Sequence, residues 1–270
     1  MPDLVVIMSV YIKDRLEFVQ ESVQSILEQT FRNFHYFLIC DGPVAPEVDG
    51  YLTSLKDDRI RLFRLEKNQG LAHALNYLLE IIMKNPEYKF IARMDADDIS
   101  MSERLKTQRD YLILNRVVTC VGSWYEEIDE SGKLLSRIQL PVDHESLRKR
   151  FYTRTPFAHS SVMYSRIFIE TAGFYPTHTL LMEDNFLWGK ALYHGLKLGN
   201  IPDYLLKFRI DKDFYRRRSG LKYGWHYINT RIKVLKLINA PAYIYLAATG
   251  LGIIRMIPGR LFRLFYDLNK

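Results

Sequence analysis

A chain of 270 residues with 48% hydrophobic and 26% charged side chains, no low-complexity tract and no internal repeat can bury a real core, which excludes a disordered or fibrous protein. Its two cysteines, Cys40 and Cys120, each sit in an apolar, strand-like run, so a disulfide-stapled fold is excluded and buried thiols in a reducing, cytoplasmic setting are expected. The net charge of +7 is unevenly spread: residues 205–270 hold 14 Lys+Arg against 3 Asp+Glu, leaving 24 against 28 before them, so the tail alone is basic enough to seek nucleic acid or an anionic membrane.

The first element is LVVIMSV (residues 4–10), apolar and β-branched. It is too short for a helix and lacks the basic flank and cleavage site of a signal peptide, so it reads as a buried strand. Next, Leu16, Val19, Val23, Ile26 and Leu27 share one helical face, with Asp14 and Glu17 forming a capping-box-like start. FHYFLIC (34–40) is a second strand, stopped by DGP. A loop or short helix follows, and RIRLFRL (59–65) alternates like a third strand. GLAHALNYLLEIIM (70–83) aligns Leu71, Leu75, Leu78 and Ile82 as a helix, and KFIAR (89–93) returns to strand. This alternation predicts right-handed βαβ units and a mostly parallel sheet with helices on both faces. Farther on, the pattern predicts helices at 102–114, 144–152, 166–172 and 183–194, and strands at 158–164 and 204–210.

In such sheets, ligands bind beyond the carboxyl ends of the strands. Tyr11, Asp41 and the stretch Asp95 to Asp98 fall at those ends. Asp95 and Asp97, two residues apart, project to one side of an extended segment, where two carboxylates repel unless a proton or a cation lies between them. A calcium loop is excluded, because Ile99 and Ser100 stand where the pattern requires Asp or Asn and then Gly. A phosphohydrolase of the haloacid-dehalogenase type also ends an apolar strand in D-x-D, but normally near its N-terminus. The third reading is a sugar-nucleotide site, with a divalent cation bridging a carboxylate and a diphosphate.

Five segments occur here in order: VVIMSVYIKDRLEFVQESVQSILEQTF, FLICDG, KNQGLAHALN, RMDADDIS followed by ERLKTQ, and MEDNFLW. Together they resemble the family-2 inverting glycosyltransferases of GT-A fold, particularly bacterial members that build capsular, exopolysaccharide or lipopolysaccharide chains. The resemblance covers roughly residues 3–215. It implies a nucleotide-sugar donor, a UDP-sugar by preference, a glycan or lipid-linked glycan acceptor, and Mn2+ or Mg2+ as cofactor. By the same resemblance, Tyr11 packs on the nucleobase and Asp41 accepts from uracil, while Asn68 and Gly70 wall the base and ribose. Asp95 faces the ribose or sugar and shares the cation with Asp97, its main ligand. Asp98 caps the following turn. Asp184 is the general base and Glu183 its neighbour at the acceptor. On this reading residues 1–219 form the catalytic domain, with a nucleotide-binding half (about 1–100) and an acceptor half (about 101–219).

Each assignment has a plainer competitor. Asp41 suits a turn before Gly42-Pro43, and Glu183 with Asp184 suits the first turn of any helix. His159 reads as a hydrogen-bonded, partly buried histidine. Arg216 to Arg218 follow the last predicted strand, and one of them, Arg217, is the candidate contact to the diphosphate. From Gly220 onwards, Lys and Arg interleave with Leu, Ile, Tyr and Trp, and the longest uncharged run, Leu237 to Ile254, spans 18 residues with Asn239, Pro241 and two glycines inside it. That is the lower limit of a membrane span. Residues 220–270 are therefore expected to form amphipathic helices lying on the inner face of the cell membrane, without nucleic acid. The competing expectation is a helical subdomain packed on the core or on a second copy. A phosphohydrolase built on Asp95 and a membrane-binding scaffold with a degenerate site remain as alternatives to the transferase.

Overall fold

The computed structural model describes residues 1–179 and 181–259. The chain runs β1 (Leu4–Val10), α1 (Leu16–Leu27), β2 (Phe34–Cys40), α2 (Pro46–Ser54), β3 (Ile60–Arg64), α3 (Leu71–Met83), β4 (Phe90–Asp95) and β5 (Ile99–Ser100). It continues with α4 (Arg104–Leu114), β6 (Val118–Ile128), β7 (Leu134–Ile138), α5 (His144–Phe151), a 3-10 turn (His159–Ser161) and β8 (Met163–Ser165). The last elements are α6 (Arg166–Ala172), α7 (Glu183–Tyr193), β9 (Lys197–Arg209), α8 (Phe214–Arg217), α9 (Leu221–Leu237) and α10 (Ala242–Arg255).

The strands form one mixed sheet in the order β3-β2-β1-β4-β8-β6-β9-β5, with β7 added on β6. β1 runs parallel to β2 and to β4, and β2 parallel to β3, as βαβ units demand. β8 is antiparallel to both its neighbours. Side chains of β1 alternate between two cores: Val5 and Ile7 enter one, and Leu4, Val6, Met8 and Val10 the other. Both faces are covered, which is why this strand reads as an unbroken apolar run. α1, α2 and α4 close one face; α3, α6, α7, α9 and α10 close the other.

Three local expectations are corrected. Arg15, not Asp14, precedes α1, and no side chain caps that helix. Asp14 instead turns back to accept the Tyr11 N–H at 2.8 Å, folding the β1–α1 loop. The segment expected as one strand at 158–164 splits into the 3-10 turn and β8, and the strand expected at 204–210 is the end of the longer β9.

The basic tail divides its residues between interior and surface. Val234, Leu235 and Ile238 of α9 and its C-terminal edge, with Ile244 and Ala248 of α10, join the core that holds Trp188 and Leu187 of α7. Packing on the core is therefore how one face of each tail helix is used. The other face of α10 leaves Tyr243, Leu246 and Ile253 exposed. Among the described residues no helix is long and apolar enough to cross a membrane. Residues 260–270 of the expected membrane-associating tail lie outside the described residues.

Candidate active site

Parallel pairing brings the carboxyl ends of β2, β1 and β4 to one edge of the sheet. Ser9 stands opposite Asp95, and the Asp41 N–H donates to Val10 O at 2.8 Å. Beyond β4 the chain folds so that carboxylate oxygens of Asp95, Asp97 and Asp98 lie within 4.8 Å of one another. Burial first, and then the charge of Asp95, push the Asp97 carboxyl up to about 6.

What holds so much negative charge together is a set of buried cations and donors. Arg93, 1% exposed, faces the same side of β4 as Asp95 two residues on and pairs with its carboxylate. Ser22 Oγ of α1 donates to Asp95 O at 2.7 Å. Arg209, at the end of β9, donates its Nε to Asp97 O at 2.8 Å and its backbone N–H to Asp98 Oδ1 at 2.8 Å. The Asp98 Oδ2 accepts from the Ser160 hydroxyl of the 3-10 turn. Asp98 therefore ties three segments together and does not cap the turn that follows it. It is also 1% exposed whereas Asp95 and Asp97 are only half-buried, so those two are the members of the cluster left to face a ligand. A pair of hard carboxylate oxygens close enough to repel one another suits Mn2+ or Mg2+.

α7 starts across from this loop. Glu183 is buried in its first turn, and burial followed by the charge of Asp184 raises its carboxyl to about 7, with Arg93 and Asp95 also near enough to act on it. Burial likewise raises Asp184, against the lowering effect of its hydrogen bonds from Asn185. Asp184 Oδ1 accepts both the Asn185 N–H, at 2.7 Å, and the Asn185 side-chain amide, at 3.0 Å. Arg93, the ion-pair partner of Asp95, is thus also within electrostatic reach of Glu183 and Asp184.

A third group lies at the β2 and β3 ends. Asp41 is buried, and its carboxylate accepts the N–H groups of Gln69 at 2.8 Å and Gly70 at 2.9 Å, while Asn68 Nδ2 donates to Asp41 O at 3.1 Å. Asp41, Asn68 and Gly70 form one clamp, and each carboxylate oxygen keeps a second lone pair. Gly42 makes the clamp: its φ is +80° and a Cβ there would lie 2.4 Å from Asn68 N, so only glycine fits. Tyr11 is partly exposed at the mouth. Burial raises its hydroxyl, and Arg217 opposes that shift while also acting on Asp97. Arg217, paired with Asp211 at 2.6 Å, therefore sits within electrostatic reach of both. Beside Tyr11, a cleft of about 520 Å³ opens between Ile12 to Glu17 and the start of α2 at Ala45 and Glu47.

His159 donates to or accepts from the Tyr175 hydroxyl at 2.8 Å, and burial lowers its pKa well below the usual range, the expected behaviour of a satisfied interior histidine. Cys40 and Cys120 are buried free thiols. Arg93, Arg209, Ser22 and Ser160 were not among the sequence candidates. Only Arg93 carried a signal, as a charge two residues before the acidic stretch inside an otherwise apolar strand.

The fold and the cleft define a GT-A type sugar-nucleotide enzyme. The model of the family Glycosyl transferase family 2 matches residues 5–172, and this chain belongs to that family. The amylovoran biosynthesis glycosyltransferase AmsE of Erwinia amylovora is 32% identical over 233 residues, 86% of this chain and 84% of its own length. An Escherichia coli UDP-Gal:alpha-D-GlcNAc-diphosphoundecaprenol beta-1,3-galactosyltransferase is 33% identical over 224 residues, 83% of this chain and 80% of its own. In structure, the S. aureus TarS fragment 1–349 in complex with UDP-GlcNAc matches with a TM-score of 0.61 at 15% identity, over 97% of this chain and 83% of that one. The mannosyltransferase PcManGT of Pyrobaculum calidifontis, in complex with GDP-Man and Mn2+, matches with a TM-score of 0.64 at 16% identity, over 93% and 73%. The chain is thus a glycosyltransferase, and the phosphohydrolase and scaffold alternatives fall away.

Proposed function

We propose that this enzyme transfers a sugar, with inversion, from a UDP-sugar to a hydroxyl of a growing surface glycan carried on a lipid diphosphate. The observation that supports this reading most is the cluster of Asp95, Asp97 and Asp98 carboxylate oxygens within 4.8 Å of one another at the strand ends, with Glu183 and Asp184 within electrostatic reach of Arg93. The names of the two bacterial relatives, one for an exopolysaccharide and one for a lipid-diphosphate acceptor, point the same way.

Tyr11 stacks on the base, and Asp41 offers its remaining lone pairs to it, with Asn68 and Gly70 closing the wall behind. Asp95 meets the ribose or sugar. Mn2+ or Mg2+ held by Asp97 and Asp95 would supply positive charge to the diphosphate as it leaves. Arg217 meets the same diphosphate from the rim. Asp184 takes the proton of the acceptor hydroxyl as its oxygen attacks C1, and a base whose pKa is raised by burial accepts that proton more readily at neutral pH. The bond from C1 to the diphosphate breaks on the opposite side, so the anomeric centre inverts with a single base. Glu183 borders the acceptor. The exposed Tyr243, Leu246 and Ile253 of α10, beside a basic surface, hold the enzyme at the inner face of the membrane, where a lipid-linked acceptor resides.

The test is transfer by purified protein from UDP-galactose, UDP-glucose and UDP-GlcNAc to a GlcNAc-diphosphate lipid, with Mn2+ or with EDTA. A product of inverted configuration, formed with Mn2+ and lost with EDTA and in Asp184→Asn, is expected. Retained configuration, or transfer untouched by Asp184→Asn, would overturn the reading.

A further inference from the structure

We propose that Arg231, on the basic tail helix α9, is a positioning residue that fixes the catalytic orientation of Asp184 through Asn185. The inference rests on Asp184 being the base.

Arg231 is 1% exposed although it lies in a stretch rich in surface lysines. Its Nη1 donates to Asn185 Oδ1 at 3.1 Å, its Nη2 donates to Phe151 O, and its guanidinium lies 5.0 Å from the centre of the Phe151 ring. Among the described residues its buried Nε has no partner. An apolar residue of similar volume would fill this site at lower desolvation cost, so packing alone does not explain an arginine. The hydrogen-bond chain does. A carboxylate only accepts and a guanidinium only donates, and the Asn185 amide stands between one of each. Only one orientation of that amide satisfies both neighbours: Oδ1 toward Arg231 and Nδ2 toward Asp184. The flipped amide would set Nδ2 against guanidinium N–H groups and Oδ1 against a carboxylate. With Arg231 in place, Asp184 Oδ1 takes two donors from Asn185, which leaves Oδ2, with no donor among the described residues, for the acceptor hydroxyl.

The reach of this chain depends on how closely α7 and α9 approach. Gly189 sets that distance, because a Cβ on it would lie 2.9 Å from Val234 Cγ1. The tail thus contributes to the site from behind and without touching substrate.

The test uses the full chain with UDP-galactose or UDP-GlcNAc and a GlcNAc-diphosphate lipid, comparing Arg231→Met, Arg231→Lys, Asn185→Ala and the Met/Ala double variant. Misplacing a catalytic group by an ångström costs up to about 100-fold in rate, so Arg231→Met and Asn185→Ala are each expected to lose about 10- to 100-fold in kcat with donor KM unchanged. The lysine variant, which keeps a donor, falls between Met and wild type, and the double variant is no worse than the poorer single one. Folded Arg231→Met with near wild-type kcat, or single losses that multiply in the double variant, would overturn the proposal. Should Arg231→Met fail to fold, Asn185→Ala decides alone, and undiminished kcat there is equally fatal. Asp184→Asn separates the two ideas: if it keeps full turnover the base assignment fails, whereas an inactive Asp184→Asn beside an unaffected Arg231→Met sinks the positioning role only.

Discussion

Replacing Glu183 by Gln should make the ligand-free enzyme more stable at neutral and alkaline pH. Glu183 is buried beside Asp184, and its carboxyl is raised to about 7 in the folded chain from an ordinary 4.5. The folded state therefore binds the Glu183 proton more tightly than the unfolded chain does. Stability contributed by the neutral acid is complete below about pH 4.5, is lost as pH rises toward 7 and stays lost above it. A tenfold change in proton affinity is worth about 1.4 kcal/mol, so the ionised carboxylate costs roughly 3 kcal/mol above pH 7. Gln has the same shape without the charge, and gives up at most about 1 kcal/mol of favourable interaction between an anion and a helix N-terminus. A net gain of about 2 kcal/mol corresponds to a Tm higher by roughly 4–8 °C for a chain of this size. Differential scanning calorimetry at pH 8 and at pH 4, without donor or metal, reads it directly. The gain should appear at pH 8 and vanish at pH 4. A Glu183→Gln protein that melts below wild type at pH 8, or by the same margin at both pH values, would refute the buried, repelled carboxylate.

Asp97→Asn should abolish the rise in Tm caused by Mn2+ while the metal-free protein stays as stable as wild type or gains stability, since the change removes a repelled carboxylate. Asp95→Asn should behave oppositely in the metal-free state, losing about 1–3 kcal/mol in a denaturant titration, because the buried Arg93 loses its ion-pair partner while relief of the repulsion on Asp97 and Asp98 offsets part of that cost. Leu235→Ala, in the shared core, should cost about 2–5 kcal/mol by the same titration. Leu246→Ser, on the exposed face of α10, should change stability by less than about 0.5 kcal/mol while weakening co-sedimentation with anionic phospholipid vesicles.

The first half of the fold was legible because its strands are covered on both faces. LVVIMSV and FHYFLIC show as continuous apolar runs, and α1 and α3 between them keep a clear helical period. β7, which is largely exposed, carries no clear pattern, and β6 shows only as the strand-like run around Cys120, because Trp124, Tyr125, Glu126 and Glu127 break its apolar sequence although Glu127 is buried. The 3-10 turn before β8 cannot be told from strand in the sequence, because what bends the chain there is hydrogen bonding of the buried Ser160 and Ser161 to Asp98 and Ala158 O. Candidate residues at strand ends could be found from topology, since Tyr11, Asp41 and Asp95 must share an edge once the strands are parallel. Arg209 and Arg231 could not. Each looks like part of a solvated basic surface, and only the three-dimensional packing of β9 and α9 turns it inward. The same packing explains the tail: Lys222, Lys233 and Lys236 lie on the surface as its composition suggests, whereas Val234 and Leu235, three and four residues after Arg231, close the core.

The central claim is that the acidic loop after β4 binds a cation which receives the nucleotide's diphosphate. Isothermal titration of UDP into the purified protein, once with Mn2+ and once with EDTA, tests it most directly. Saturable binding with Mn2+ that is lost with EDTA is the predicted result. Equal affinity in both buffers would contradict it.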